Sequence, residues 1–251
     1  MNEGKERMAV SVQEFIQQLE EEPTLCQRLV LLLKDRESEP QLVKMPYQEF
    51  LEWMDEDTLA EWEDGEIIMS SPASYFHQDL VRFLTSVVGM YVETYNLGVI
   101  CPAPFQMKLE YSGREPDLLF VAQKHLDRLK ETYLDGPADL VVEIISPESV
   151  VRDRGKKFYE YEEGGVPEFW LIDPLRKWAE FYQLRPEGRY KTAFAGQEGI
   201  YHAVTLKGFW LRVEWLWQET PPHPLRALGE ITGMSSEVVE NFLKALGGET
   251  R

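Results

Sequence analysis

Apolar positions along the chain change period several times, and each change predicts an element. Between residues 11 and 35, Phe15, Ile16 and Leu19, then Leu25, Leu29, Leu32 and Leu33, recur at helical spacing and predict two amphipathic pieces broken near Pro23. The stretch "KDRESEP" reads as a linker, so residues 1–44 are expected to form a helical appendage. Phe50, Trp53 and Met54 predict a further helix, and "EWEDGEIIMSSP" predicts a turn at Asp64-Gly65 followed by the strand "EIIM". Ser74 is placed to cap a helix over about 75–95, whose broad apolar face holds Phe76, Leu80, Phe83, Leu84, Val87 and Val88. From Gly98 the pattern turns to extended runs, "GVIC", "FQMKLEY", "PDLLFVA" and "ADLVVEII", most of them expected in a central sheet. A short helical stretch falls around "KHLDRL". Helical pattern returns from Ser149 to Glu163 and stops at Gly164-Gly165. "PEFWLIDP", "KWAEFYQL" and "GRYKTAFA" read as strands, the last two as a hairpin, and "SSEVVENFLKALGG" as a capped terminal helix.

Composition narrows the class. With 251 residues, 43% hydrophobic and 12% aromatic, the chain suffices for one good-sized core and is short for two enzyme domains. The expected division is 1–44 as an acidic helical appendage, 45–220 as the main domain and 221–251 as a C-terminal helical tail. Two cysteines, Cys26 and Cys101, are too few for a disulfide framework and suggest a reducing compartment. The polar start "MNEGKERMAV" lacks a signal-peptide pattern, and the longest aliphatic run, "LVLLL", is too short to span a bilayer. A soluble, cytoplasmic protein with no membrane partner is therefore expected.

The net charge of −18 argues against a broadly basic nucleic-acid surface. Its distribution changes the picture: residues 1–66 hold 18 acidic and 6 basic side chains, net −12, leaving −6 for the other 185 residues. Within that remainder, "RDRGKK" at 152–157 sets four basic groups against one acid, just after the strand "LVVEII".

That strand carries the main anomaly. Glu143 interrupts a β-branched run, and a carboxylate removed from water costs several kcal/mol unless a cation or donors compensate. The bland alternative is a glutamate at a strand end that reaches solvent. Pro116-Asp117 opens another strand and Lys157 follows in "RDRGKK". Two carboxylates on adjacent strands plus a nearby lysine form a minimal kit for metal-dependent phosphodiester hydrolysis. Asp153, Lys157 and Tyr161 stand at i, i+4 and i+8, on one helical face, whereas Lys156 points about 100° away. Glu61, before the first strand, reads on its own as a surface acid in a very acidic stretch, and His77, near a helix start, is placed to approach a phosphate or a metal-bound water. Ser146 fits a turn before Pro147.

The run "PDLLFVAQKHL…DGPADLVVEIISPESVVRDRGKKFYEYEEGGVPEFWLIDP", with "DGEIIMSSPASYFHQDLVRFL" upstream, resembles the Uma2 family, also called DUF820, of endonucleases in the PD-(D/E)XK nuclease superfamily. The resemblance spans about residues 45–215. It implies an α/β, restriction-endonuclease-like core with a mixed central sheet flanked by helices, a Mg²⁺-dependent nuclease site with Mn²⁺ as a substitute, DNA as substrate and a homodimer. It implies Asp117, Glu143 and Lys157 as catalytic residues, with Asp117, Glu143 and the Ile144 backbone carbonyl as metal ligands and Glu61, the acid near "DGE", as an accessory carboxylate. One position departs from the superfamily: the lysine expected two residues after the acid is Ile145 here, and the resemblance points to Lys157 on the next helix instead.

Two other classes compete. A catalytically inactive nuclease fold serving nucleic-acid or protein interaction loses ground because all three key side chains are present. A glycosidase using Asp117 and Glu143 as acid and base gives no role to Lys157.

Overall fold

The structure, a computed structural model, describes residues 44–54, 58–69, 73–147, 149–150 and 152–247. The helices expected over residues 11–35 lie outside the described residues. The first described helix, α1 (Tyr47–Trp53), buries Phe50 beside Trp62. Asp64 and Gly65 both adopt positive φ, 45° and 94°, and this tight turn joins β1 (Ala60–Glu63) to β2 (Glu66–Met69) in an antiparallel hairpin. Glu61 is thus inside a strand, not before it: Ala60, Glu61 and Trp62 are all buried.

Ser74 caps α2 (Tyr75–Thr94), its hydroxyl accepting the His77 N–H at 3.2 Å. Extended runs follow as β3 (Gly98–Pro102), β4 (Gln106–Lys108), β5 (Ser112–Arg114), β6 (Leu118–Ala122), β7 (Tyr133–Asp135) and β8 (Leu140–Ile144). A π-helical turn at Arg152–Lys156 leads into α3 (Lys157–Glu163). Gly165, at φ 81°, takes the left-handed position that ends this helix. Then come β9 (Glu168–Asp173), β10 (Trp178–Leu184), β11 (Tyr190–Gly196), β12 (Ile200–His202), β13 (Trp210–Arg212), α4 (Pro224–Thr232) and α5 (Ser236–Gly247).

These strands form a six-stranded sheet in the order β11-β10-β9-β8-β6-β3, a five-stranded sheet β2-β1-β5-β4-β7 and a small β12-β13 pair. Both larger sheets are mixed: β8 and β9 run parallel, as do β4 and β7, and the other pairs are antiparallel. "FQMKLEY" thus supplies β4 to the second sheet, whereas the other three extended runs join the central one.

Side-chain alternation along β8 divides the core. Leu140, Val142 and Ile144 face α2, packing with Leu80, Phe83, Leu84, Val87 and Val88. Val141 and Ile145 face the other way, with Leu119, Phe169, Leu171 and Tyr161 of α3. Each such buried side chain is worth about 1.5–3 kcal/mol, so two apolar faces fix which way Glu143 points: toward α3. The last helices belong to the packing as well, since Ala227 and Ile231 of α4 lie in the α2-side core. Among the described residues no helix is long and apolar enough to cross a membrane.

Candidate active site

The register of the central sheet pairs Leu118 with Val142, so Asp117 stands one step beyond, alongside Glu143. The Ile144 N–H donates to Asp117 Oδ2 at 2.6 Å. Asp117 Oδ1 lies 3.3 Å from His77 Nε2, and the same nitrogen lies 3.1 Å from the Ile144 carbonyl oxygen. One carboxylate oxygen and one carbonyl oxygen from neighbouring strands therefore converge on a single point. His77 arrives there because Ser74 starts α2 one turn earlier. Burial lowers the His77 pKa, but the hydrogen bond and charge of Asp117, with the Ile144 carbonyl, raise it overall.

Glu143 is only 3% exposed, which excludes the solvent-reaching strand end. Lys157 Nζ donates to its Oε1 at 2.9 Å and the Tyr161 hydroxyl donates to the same oxygen at 2.5 Å. Among the described residues no donor meets Oε2. Burial pushes the Glu143 pKa up to about 8; Lys157 opposes this, and Asp153, Asp117 and Glu61 reinforce it. Lys157, 3% exposed, has burial acting against its charge, but Glu143, Glu61 and Asp153 hold it protonated well above the usual lysine range. Its ammonium lies 2.9 Å from Glu61 Oε1 and 3.7 Å from Asp153 Oδ1. It is no solvated lysine paired with Asp153 alone. Asp153, Lys157 and Tyr161 thus share a face despite the π-helical turn, while Lys156 is exposed and pairs with Glu63. Ser146 makes a turn, its N–H donating to Ser149 Oγ at 3.0 Å.

Glu61 belongs to a network that spacing along the chain did not reveal. Arg114, fully buried on β5, donates to Glu61 Oε2 at 3.1 Å, to Glu63 Oε2 at 2.5 Å and twice to Glu160 at 2.7 Å. Burial alone would raise the Glu61 pKa, but Lys157 and Arg114 beside it hold it at about 2. The Glu115 N–H also donates to Glu61, and burial pushes the Glu115 carboxyl up to about 7. The sequence signal for Arg114 was an arginine in "SGREPD", three residues before Asp117 on a strand of small residues. For Glu61 it was the alternation of acids around Trp62 in "AEWE".

These groups wall a cavity of about 630 Å³, which takes in Glu61, His77, Asp117, Glu143, Arg152 and Lys157. Met69, Phe76 and Leu175 form part of its apolar lining and are 62%, 41% and 69% exposed. Phe76, expected on the core face of α2, lines this cavity instead and is absent from the core packed by the rest of that face.

The donor set suits a hard divalent cation. Five acids line the cavity, namely Glu61, Glu115, Asp117, Glu143 and Asp153, against Lys157 and Arg152, and among the described residues the buried Asp153 Oδ1 has no hydrogen-bond partner. Among the described residues no group of three or more His, Cys, Asp or Glu side chains forms a metal cage. Two carboxylates and a carbonyl, completed by water and substrate, are nevertheless a sufficient protein share for Mg²⁺.

A solved structure described as a "putative nuclease belonging to DUF820" from Anabaena variabilis ATCC 29413 shares the fold at 18% identity, with a TM-score of 0.57 over 68% of this chain and 96% of that one. No curated protein matches the chain. Residues 47–214, more than half of the sequence, match the model of the Uma2 family, described as "Putative restriction endonuclease". With its mixed α/β fold and this match, the chain belongs to the Uma2 family.

Proposed function

We propose that this protein is a metal-dependent endonuclease that hydrolyses phosphodiester bonds of DNA, with Mg²⁺, or Mn²⁺ in its place, held by Asp117, Glu143 and the Ile144 carbonyl. The observation that carries the reading is that Asp117 Oδ1 and the Ile144 oxygen are brought together from neighbouring strands, both within 3.3 Å of His77 Nε2. Beside it Glu143 is buried, and among the described residues both its donors meet one oxygen. When bound, the cation polarises the phosphoryl oxygen and makes water a better nucleophile.

The protein's own groups do the rest. Tyr161, whose hydroxyl stays protonated because burial and Glu143 raise its pKa, donates to Glu143 and fixes its rotamer. Lys157 remains charged, so its role is to offset negative charge developing on the phosphoryl group, not to remove a proton. Glu61 and Asp153 hold the ammonium from the other side. His77 orients Asp117.

The test is an assay of the purified chain on single-stranded, duplex and branched DNA with Mg²⁺, Mn²⁺ or EDTA, alongside Asp117→Asn. Internal cleavage in either metal, abolished by EDTA and by the variant, is expected. Equal hydrolysis in EDTA would overturn the metal-dependent reading.

A further inference from the structure

Four basic side chains of "RDRGKK" read in sequence as a surface patch, yet the structure gives three of them to carboxylates. Arg154 donates both terminal nitrogens, to Glu180 and to Asp173. Lys156 pairs with Glu63, and Lys157 with Glu143, Glu61 and Asp153. Arg152 differs. Among the described residues its buried Nε has no hydrogen-bond partner, and its nearest acid, Glu61 Oε2, stands at 3.8 Å, beyond hydrogen-bond reach. Glu61 does not need it, being already met by Lys157 at 2.9 Å and Arg114 at 3.1 Å. The Arg152 side chain is 30% exposed and lines the same cavity as Asp117 and Glu143. A guanidinium with unused donors, partly desolvated, at the wall of a cavity is a seat for an anion with two acceptor oxygens.

We propose that Arg152 binds the non-bridging oxygens of a substrate phosphodiester, seating it against the Asp117–Glu143 centre; this rests on the nuclease reading. The cavity's acids repel a polyanion, and the Lys157 side chain is only 4% exposed behind three of them, so entry of a phosphate needs a cation nearer the solvent. Arg152 meets that need. It contacts the substrate and takes no part in proton transfer.

The experiment measures binding of a fluorescent single-stranded oligonucleotide across a salt series, and cleavage of the same oligonucleotide in Mg²⁺ or Mn²⁺, for the full chain and for Arg152→Ala, Arg152→Gln and Arg152→Lys. Arg152→Gln keeps the first part of the stem and a neutral polar end, and keeps the test valid if the alanine variant folds poorly. Loss of one phosphate contact should lower the slope of log affinity against log salt by about 0.7. KM should rise about tenfold in Arg152→Ala and Arg152→Gln with a smaller change in kcat, and Arg152→Lys should restore the slope. An unchanged slope with a fall in kcat alone would mean that Arg152 only supports Glu61, and would overturn the proposal. The two readings fail separately. Wild-type binding with the expected loss of slope but no cleavage in any metal removes the nuclease and keeps the seat. Wild-type cleavage with an unaltered slope and KM in the variants removes the seat and keeps the nuclease.

Discussion

Neighbouring strands of the central sheet each bury a glutamate, Glu143 on β8 and Glu168 on β9, and they point to opposite faces. Glu168 is 0% exposed and surrounded by neutral donors. Its Oε1 accepts from Trp170 Nε1 at 2.8 Å and the Tyr201 hydroxyl at 2.7 Å; its Oε2 accepts from the N–H groups of Val204 and Thr205 and from the Thr205 hydroxyl at 2.7 Å. Both oxygens are satisfied, and the carboxylate ties the loop after β12 to the sheet. Among the described residues Glu143 has both its donors on one oxygen, three acids, Asp153, Asp117 and Glu61, around it and a cavity before it. Equal burial therefore carries unequal meaning. A charge whose hydrogen bonds close on themselves is architecture; one left half-satisfied at a cavity has capacity for a ligand.

The strongest way to break this contrast is to place an amide at each position. In Glu143→Gln the amide oxygen can keep the Lys157 and Tyr161 bonds while the NH₂ takes the donor-free side, so the fold should persist and metal-free melting temperature should hold or rise. Cleavage should fall about a thousandfold. In Glu168→Gln an NH₂ must face either Trp170 Nε1 or the Thr205 and Val204 donors, so stability should drop by roughly 2–4 kcal/mol while folded protein keeps its turnover. Denaturant melts and single-turnover assays of the two variants give the answer. Loss of activity without loss of stability in Glu168→Gln, or the reverse in Glu143→Gln, would collapse the distinction.

The second test removes the charged companion that sets Glu143 apart. Lys157→Met should slow cleavage about a hundredfold. It should also destabilise the protein by roughly 3 kcal/mol, because Glu61 and Asp153 lose their shared cation in a buried site. Lys156→Ala, at an exposed pair with Glu63, should stay within about 0.5 kcal/mol of wild type and near its rate. Equal losses in the two variants would show that the wrong lysine has been assigned.

How far these features were legible follows from their range along the chain. Local periodicity carried the Ser74 cap, the Asp64-Gly65 turn, the Gly165 stop and the shared face of Asp153, Lys157 and Tyr161, since each depends on neighbours within about two helical turns. Glu143 stood out because a lone acid broke an apolar run. The Arg114 bonds to Glu61 and Glu160 were not legible: their partners lie 53 and 46 residues away in sequence, and only the second sheet brings β1 and β5 together. Glu168 was equally hidden, because all its donors but Trp170 lie more than thirty residues downstream. "RDRGKK" misled in another way. Its charge was read as a surface, whereas all but Arg152 are spent on acids contributed by β1, β8, β9 and β10 or by Asp153.

The contrast also reaches the pH dependence of stability in the metal-free protein. The Glu143 carboxyl, near 4.5 when exposed, is raised to about 8 by burial in the fold, so the folded chain keeps this proton where the unfolded chain has lost it. Its contribution is therefore fully present below about pH 4.5 and is lost as pH rises toward 8. Glu115, raised to about 7, and His77, raised as well, give losses of the same sign in that window. Glu61, held at about 2, acts oppositely and outside it: its contribution is present above 4.5 and disappears as pH falls through about 2. Glu143→Gln removes only the first of these, so the difference in melting temperature between variant and wild type should widen steadily from pH 5 to pH 8 in EDTA at fixed ionic strength. Adding Mg²⁺ should narrow it again, because a cation favours the ionised carboxylate that the amide cannot provide. Parallel melting curves for the two proteins across that range would mean that Glu143 is as fully satisfied as Glu168, and the contrast between the two glutamates would fail at its physical root.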